Sequence, residues 1–188
     1  MKYSDFELID RVLRGNRLAF EELVNRYKKS VYYLTYRMVH DYEDAADLSQ
    51  ETFLKAYQGL RKFKRRSSFH TWLYRITINL CINHLRRKES RRYVGLEKVQ
   101  TVKNPDVLEK LELEELQNRV SGAVNSLPEK QRAAVILRIY HGLSHKEISD
   151  ILGCSVGTVK ANYFHAIRNL RKSLKYNVDS KENIEHEV

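Results

Sequence analysis

Turn formers are scarce in this chain of 188 residues, which has two prolines and seven glycines. Together with long stretches of apolar residues at a period near 3.6, that scarcity argues for an all-helical protein. Cysteine is also rare. Cys81 and Cys154 both fall at apolar positions of expected helices, with no His or Cys neighbours at ligand spacing, so they read as buried filler rather than a disulfide or zinc site. A reducing, intracellular setting follows. No stretch approaches the ~18 apolar residues needed to span a bilayer, and the N-terminus, MKYSDFELID, is acidic and lacks a signal-peptide core. A cytoplasmic location is expected. No constellation of residues suggests a catalytic centre, a metal or a cofactor, and there is no internal repeat or low-complexity segment.

Positive charge is abundant but unevenly placed. The formal net charge is +10, yet residues 1–60 are close to balanced, while residues 61–92 hold eleven Lys and Arg against a single acidic residue, Glu89. A second basic block, residues 129–176, has nine against three, and the intervening and terminal stretches are slightly acidic. Two basic blocks separated in this way look like two phosphate-binding surfaces. A membrane surface would also attract them, but the interleaved Tyr, Trp and Asn suit nucleic acid equally well.

The periodicity organises the chain. Ser4 and Glu7 form a capping box that opens a short helix carrying Leu8, Val12 and Leu13 and stopping near Gly15. A longer helix follows with Phe20, Leu23, Val24, Tyr27, Val31, Leu34 and Met38 inward, ending about His40, where Asp41 caps the next. Residues 43–58 make a third helix with Ala46, Phe53, Leu54 and Tyr57 expected inward. A basic loop, Gly59 to Ser68, precedes a fourth helix to about Lys88 that buries Trp72, Leu73, Ile76, Leu80 and Leu85. Periodicity then lapses into a linker, 90–104. Helices resume at Pro105, with Gly122 as a candidate bend, and Ser126 with Glu129 is expected to start another. The expected organisation is a domain at 1–89, the linker, a domain at 105–176, and a polar, disordered tail at 177–188.

Residues 144–172 read as a helix-turn-helix. Ser144 and Glu147 form a capping box, Ile148, Ile151 and Leu152 give an apolar face, and Gly153 breaks the helix. The next helix starts at Ser155, and its stripe of Val159, Tyr163, Ile167, Leu170 and Leu174 leaves other faces free. In such a motif the N-terminal part of the second helix reads base edges in the major groove. Thr158, Lys160, Ala161, Phe164 and His165 are the candidate contacts, with Asn162, Arg168 and Arg171 beside them.

Two earlier motifs carry chemistry. In DAADLSQETFLKAY (44–57), Asp44, Asp47 and Glu51 share a helix face, bordered by Leu48 and Gln50, which suits a basic partner. Without one it is a solvated face. One helix face converges too poorly on a point for a divalent-metal nuclease site. The second motif joins Arg61, Lys62, Phe63, Lys64, Arg65, Arg66, Phe69, Trp72 and Tyr74 to Asn79, Asn83, His84, Arg86 and Arg87. Cations interleaved with aromatics suit unpaired bases, since stacking at about 1–3 kcal/mol per base offsets the cost of opening a duplex. Trp72 fits either the core or a stacking platform.

These motifs, with FHTWLYRITINLCINHLRR (69–87) and LPEKQRAAVILRIYHGLSHKEISDILGCSVGTVKANYFHAIRNLRKSL (127–174), make the chain resemble an extracytoplasmic-function sigma factor, a two-domain member of the sigma-70 family. The resemblance covers roughly residues 5–175. It implies a region 2 helical bundle and a region 4 helix-turn-helix domain, no catalytic activity of its own, and binding to core RNA polymerase and promoter DNA. The clamp helices of the polymerase's largest subunit would meet Asp47, Leu48, Gln50, Glu51 and Phe53, and the flap of its second-largest subunit would be a further partner. Minus-ten DNA would be captured and read by Phe63, Lys64, Arg65, Arg66, Ser67, Ser68, Phe69, Asn79, Asn83, His84, Arg86 and Arg87. Minus-35 DNA would be read by Thr158, Lys160, Ala161, Asn162, Phe164, His165, Arg168 and Arg171. Family members commonly carry Ser-Arg where this chain has Ala161-Asn162, which shifts the expected phosphate contacts to Lys160, Arg168 and Arg171. An anti-sigma factor is the expected inhibitor, and the free protein is expected to be a monomer without membrane contact.

Overall fold

The computed structural model describes residues 3–93 and 118–185, and these contain helices and no strand. Four helices form a first module: α1 (Asp5–Leu13), α2 (Leu18–Val39), α3 (Tyr42–Gly59) and α4 (Phe69–Tyr93), with a 3-10 turn, Leu60–Lys62, before α4. The second module comprises α5 (118–125), α6 (Glu129–Ile139), α7 (His145–Leu152) and α8 (Val156–Glu185). The expected linker from residue 94 onward and the helix expected from Pro105 lie outside the described residues.

Local chemistry sets the helix ends. The Ser4 amide donates to Glu7 Oε2 at 2.7 Å and the Glu7 amide donates to Ser4 Oγ at 3.3 Å, completing the capping box on α1. At the other end of α2, His40 adopts a left-handed conformation (φ 54°) and donates its amide to the Tyr36 carbonyl. Asp41 then accepts from the amides of Glu43 and Asp44, both at 3.0 Å. Two residues thus stop one helix and start the next, folding α2 and α3 into a hairpin.

The inward face of α3 is rolled relative to the sequence expectation. Ala45, Leu48, Ser49, Thr52 and Ala56 are buried, whereas Leu54 and Tyr57 are 57% and 43% exposed. Small residues let α3 approach its neighbours closely: Thr52 returns its hydroxyl to the Leu48 carbonyl, and Thr35 of α2 donates to the Ala45 carbonyl. A reading that ranks residues by bulk misses such a face. The fourth helix is longer than expected, reaching Tyr93, and buries Phe69, Tyr74, Ile78, Cys81 and Ile82 as well as Leu73. Its other apolar residues, Trp72, Ile76, Leu80 and Leu85, are half-buried. The helix is flanked by α2 and α3 and also by α7, so it presents no single apolar stripe.

In the second module, α6 is buried without interruption from Arg132 to Leu137, as befits a helix enclosed on several sides. It starts after Pro128 rather than on a Ser126 cap; the Ser126 hydroxyl instead donates to the Ala123 carbonyl. Residues 118–125 run through Gly122 as one helix. Beyond Tyr176, α8 continues to Glu185, into the stretch expected to be a disordered tail. The modules share a core in which Leu23, Met38, Leu73 and Ile78 of the first join Ile136, Leu137, Ile148 and Ile151 of the second.

Candidate nucleic-acid interfaces

The helix-turn-helix is assembled as its spacing predicts. Ser144 and Glu147 form a complete capping box, with the Ser144 amide 2.8 Å from Glu147 Oε2. Gly153 ends α7 in the left-handed region (φ 63°), where a side chain is strained, and a Cβ there would lie 3.4 Å from Arg75 Nη2. Two residues later Ser155 Oγ accepts the Thr158 amide at 3.1 Å, starting α8. Val159 and Ala166 are fully buried, which fixes the roll of α8. Thr158, Lys160, Ala161, Phe164, His165, Arg168 and Arg171 consequently stand exposed in one surface, and Asn162 is half-buried. Phe164, 64% exposed, offers an apolar contact of the kind a thymine methyl group makes. Lys172 and Lys175 join Arg168 and Arg171 around a shallow cleft over Tyr163 and Ile167. The sequence signal for those two lysines was their helical spacing from Arg168 and Arg171.

The loop ahead of α4 is built differently. Phe63 stacks on Trp72 with centroids 4.8 Å apart and lies against Phe6 of α1 at 6.4 Å. Trp72 is therefore half-buried and a stacking surface at once, and its ring reaches within 3.4 Å of where a Cβ on Gly59 would sit. Arg65 holds a left-handed backbone (φ 53°), an uncommon state for a non-glycine residue, and is pinned by its guanidinium to Asp10 of α1. That hydrogen bond from Arg65 lowers the Asp10 carboxyl below its ordinary range. Ser68 caps α4, its Oγ accepting the Thr71 amide at 3.1 Å. Lys64, Arg66 and Ser68 are exposed and Ser67 half-buried.

Some expected contacts are placed elsewhere. Phe69 is 1% exposed, packed edge-on to Tyr27, and anchors the start of α4 in the core rather than offering a platform. Tyr74 is equally buried. His84 turns toward α3, with Nε2 3.0 Å from Asp44 Oδ2, and Lys88 reaches the same oxygen at 2.9 Å. Burial opposes the Asp44 charge, but Lys88 and His84 outweigh it and hold the carboxyl below its usual range. Arg86 reaches Glu129 of α6 at 3.3 Å. Asn79, Asn83 and Arg87 are exposed on α4.

Part of the face formed by this loop and α4 looks toward the second module. Arg66, Thr71, Trp72 and Arg75 line one wall of a cleft of about 660 Å³ whose opposite wall is Lys146, Ser149, Gly153 and Ser155. Asn79, Asn83 and Arg86 line a second, of about 370 Å³, closed by Lys130 and Leu152. Each cleft is walled on one side by the second module.

On α3, Asp47, Gln50 and Glu51 are exposed along one face, with Lys55 paired to Glu51 at 3.3 Å. Leu48 is 6% exposed and belongs to the core, so it underlies this face instead of forming part of it. Phe53 is half-buried. Leu54, three residues beyond Glu51 and seven beyond Asp47, takes the exposed apolar position that Leu48 was expected to fill. Among the described residues no group of three or more His, Cys, Asp or Glu is placed to hold a metal ion, and no helix is long and apolar enough to cross a membrane.

The profile described as Sigma-70 region 2 matches residues 23–91, and that described as Sigma-70, region 4 matches residues 117–170. The chain is 36% identical over 182 residues to the RNA polymerase sigma-H factor of Pseudomonas aeruginosa, covering 92% of this chain and 94% of that protein. It is 39% identical over 175 residues to the ECF RNA polymerase sigma-E factor of Escherichia coli K12, covering 87% and 90%. Among solved structures, the sigma factor RpoE of Bartonella quintana, crystallised with the anti-sigma factor NepR, superposes with a TM-score of 0.66 at 25% identity, over 83% of this chain and 96% of that one.

Proposed function

We infer how this chain works from what it is, a member of the sigma-70 family in its extracytoplasmic-function branch. As an alternative sigma factor it binds core RNA polymerase, recognises minus-35 and minus-ten promoter elements and promotes DNA melting. The finer assignments are our reading of the surfaces. Residues 1–89 act as region 2 and residues 105–176 as region 4, and the protein acts in the cytoplasm without catalytic chemistry of its own. Asp47, Gln50 and Glu51, with Leu54 and Phe53 beside them, meet the polymerase clamp helices, Leu48 supporting them from beneath.

The loop 63–68 supplies a stacking step, Phe63 on Trp72, with Lys64, Arg65 and Arg66 for phosphates, while Asn79, Asn83, Arg86 and Arg87 present hydrogen-bonding and cationic groups along α4. Base–aromatic stacking of about 1–3 kcal/mol per base is the term that favours a base outside the duplex over one inside it. Thr158, Lys160, Ala161, Asn162, Phe164, His165, Arg168 and Arg171 take the minus-35 element in the major groove, and an anti-sigma factor is the partner that restrains the free protein. The observation that carries the reading is the pairing, on one chain, of an aromatic-lined basic loop with an outward-facing recognition helix. Run-off transcription tests it: core polymerase plus this chain is expected to yield promoter-specific transcripts with no other sigma subunit present. Transcripts no different from core polymerase alone would refute it.

A further inference from the structure

The two modules meet around a cluster of aromatic and imidazole side chains. Tyr74 of α4 is fully buried, and its hydroxyl lies 2.9 Å from Nδ1 of His141, in the loop between α6 and α7. The two rings meet edge-on at 5.1 Å. On the other side of Tyr74, the His70 ring lies 4.0 Å away, with Tyr27 of α2 at 6.0 Å from His70. His141 Nε2 is buried and has no hydrogen-bond partner among the described residues. Nearby, buried Arg132 of α6 donates to the Met38 carbonyl at the end of α2 at 2.6 Å, and to the carbonyls of Leu127 and Asn125 within its own module. One guanidinium thereby caps the C-terminal ends of α2 and α5, one from each module.

The charges around the imidazoles are unequal. His141 faces Arg37 of α2 and His70, both of which oppose a proton on it. His70 faces two carboxylates, Glu147 of α7 and Asp5 of α1. Both are committed elsewhere: Glu147 accepts from Ser144 at 2.8 Å, and Asp5 from Arg26 and Tyr27. Arg37 itself is held over the Tyr140 ring at 4.3 Å, so its charge stays at the junction.

We propose that this junction is an acid-labile latch: with His70 and His141 neutral the modules close and α7 screens the minus-ten face of α4, and with them protonated the junction parts and frees that face. Burial, then Arg37 and His70, push the His141 imidazole down to about 4, and burial pushes His70 down despite Glu147 and Asp5. Parting takes His141 away from Tyr74 and Arg37 and returns its ring to water and to an ordinary value of about 6.5. The closed form's advantage is therefore intact above that value and shrinks as the pH falls below it toward about 4. At a pH of about 5.5 a free imidazole is about ten times more often protonated than neutral, so His141 alone shifts the open-to-closed ratio about tenfold. The functional consequence rests on the reading of α4 as the minus-ten face; the opening itself does not.

The test is a distance. Dyes at Lys28→Cys and Lys172→Cys, both exposed positions, report the separation of the modules in the full chain carrying Cys154→Ser. Cys81 stays unlabelled, because it is buried and its thiol is pushed up to about 12. Between about pH 8 and about pH 5.5 the population of separated modules is expected to rise about tenfold with helicity unchanged, and His70→Gln with His141→Gln is expected to abolish the response. A constant separation, or the same response in the double variant, would overturn the latch. Should the double variant not fold, proton NMR of the unsubstituted chain decides: His141 titrating well below about 6.5 supports the latch and titration near that value refutes it. Neither measurement involves polymerase or promoter, so a failed latch and a failed transcription assay remain distinct results.

Discussion

The two surfaces of this sigma factor proposed to meet DNA are held in opposite ways. On α8 the candidate recognition residues stand outward on a helix whose roll is fixed from behind by Val159 and Ala166, and among the described residues Lys160, Arg168 and Arg171 enter no ion pair. On the first module, Arg65 is tied to Asp10, Arg86 to Glu129, Phe63 is stacked on Trp72, and Arg66, Trp72, Asn79, Asn83 and Arg86 line clefts against the second module. Reading an intact duplex asks only for a rigid helix in a groove, which can be displayed continuously. The proposed capture of unpaired bases asks instead for aromatic surface, and here Phe63 and Trp72 are half-buried against each other.

The contrast can be broken most severely at Arg132. Arg132→Ala leaves the Met38, Asn125 and Leu127 carbonyls without their donor, and unfolding stability is expected to fall by about 2–4 kcal/mol in a denaturant titration, with the modules separating. An unchanged transition would remove Arg132 as the shared cap. Charge reversal at Asp47 and Glu51 is expected to weaken association with core polymerase by tenfold or more in a fluorescence-anisotropy titration, leaving duplex binding by α8 intact.

Phe63→Ala is expected to reduce open-complex formation about tenfold, scored by permanganate reactivity of thymines at the minus-ten element, because one stacking surface is lost. Minus-35 binding is expected to stay within twofold, and equal losses in both would contradict the separation of roles. Replacing Lys160 or Arg168 by Ala should weaken minus-35 duplex binding severalfold and lower the slope of affinity against salt by about one per lost phosphate contact. The smallest effect is at Ser144: Ser144→Ala removes half of a capping box and is expected to cost about 1 kcal/mol of stability with DNA specificity unchanged.

Much of this architecture was legible in the residues, and the misses have a common cause. Capping boxes at Ser4 and Ser144, the Asp41 cap and the Gly153 stop are local hydrogen-bond chemistry, and they appear where the sequence places them. The roll of α8 was legible as well, since one apolar stripe packs it against both α6 and α7. The face of α3 was not, because Ala45, Ser49, Thr52 and Ala56 are buried for being small, while the larger Leu54 and Tyr57 stay outside. Likewise Phe69 and Tyr74 share a motif with Phe63 and Trp72, and only the packing of α4 between two modules separates core from platform. The extension of α8 past Tyr176 has no apolar periodicity to announce it. Tertiary contact thus decided the positions at which residue type alone allowed two roles.

The most direct measurement is the equilibrium binding of the purified, labelled chain to core RNA polymerase. A saturable, stoichiometric complex, weakened tenfold or more by the Asp47 and Glu51 reversals, is the predicted result. Absence of any complex across the salt and pH range in which the chain stays folded would contradict the account at its root.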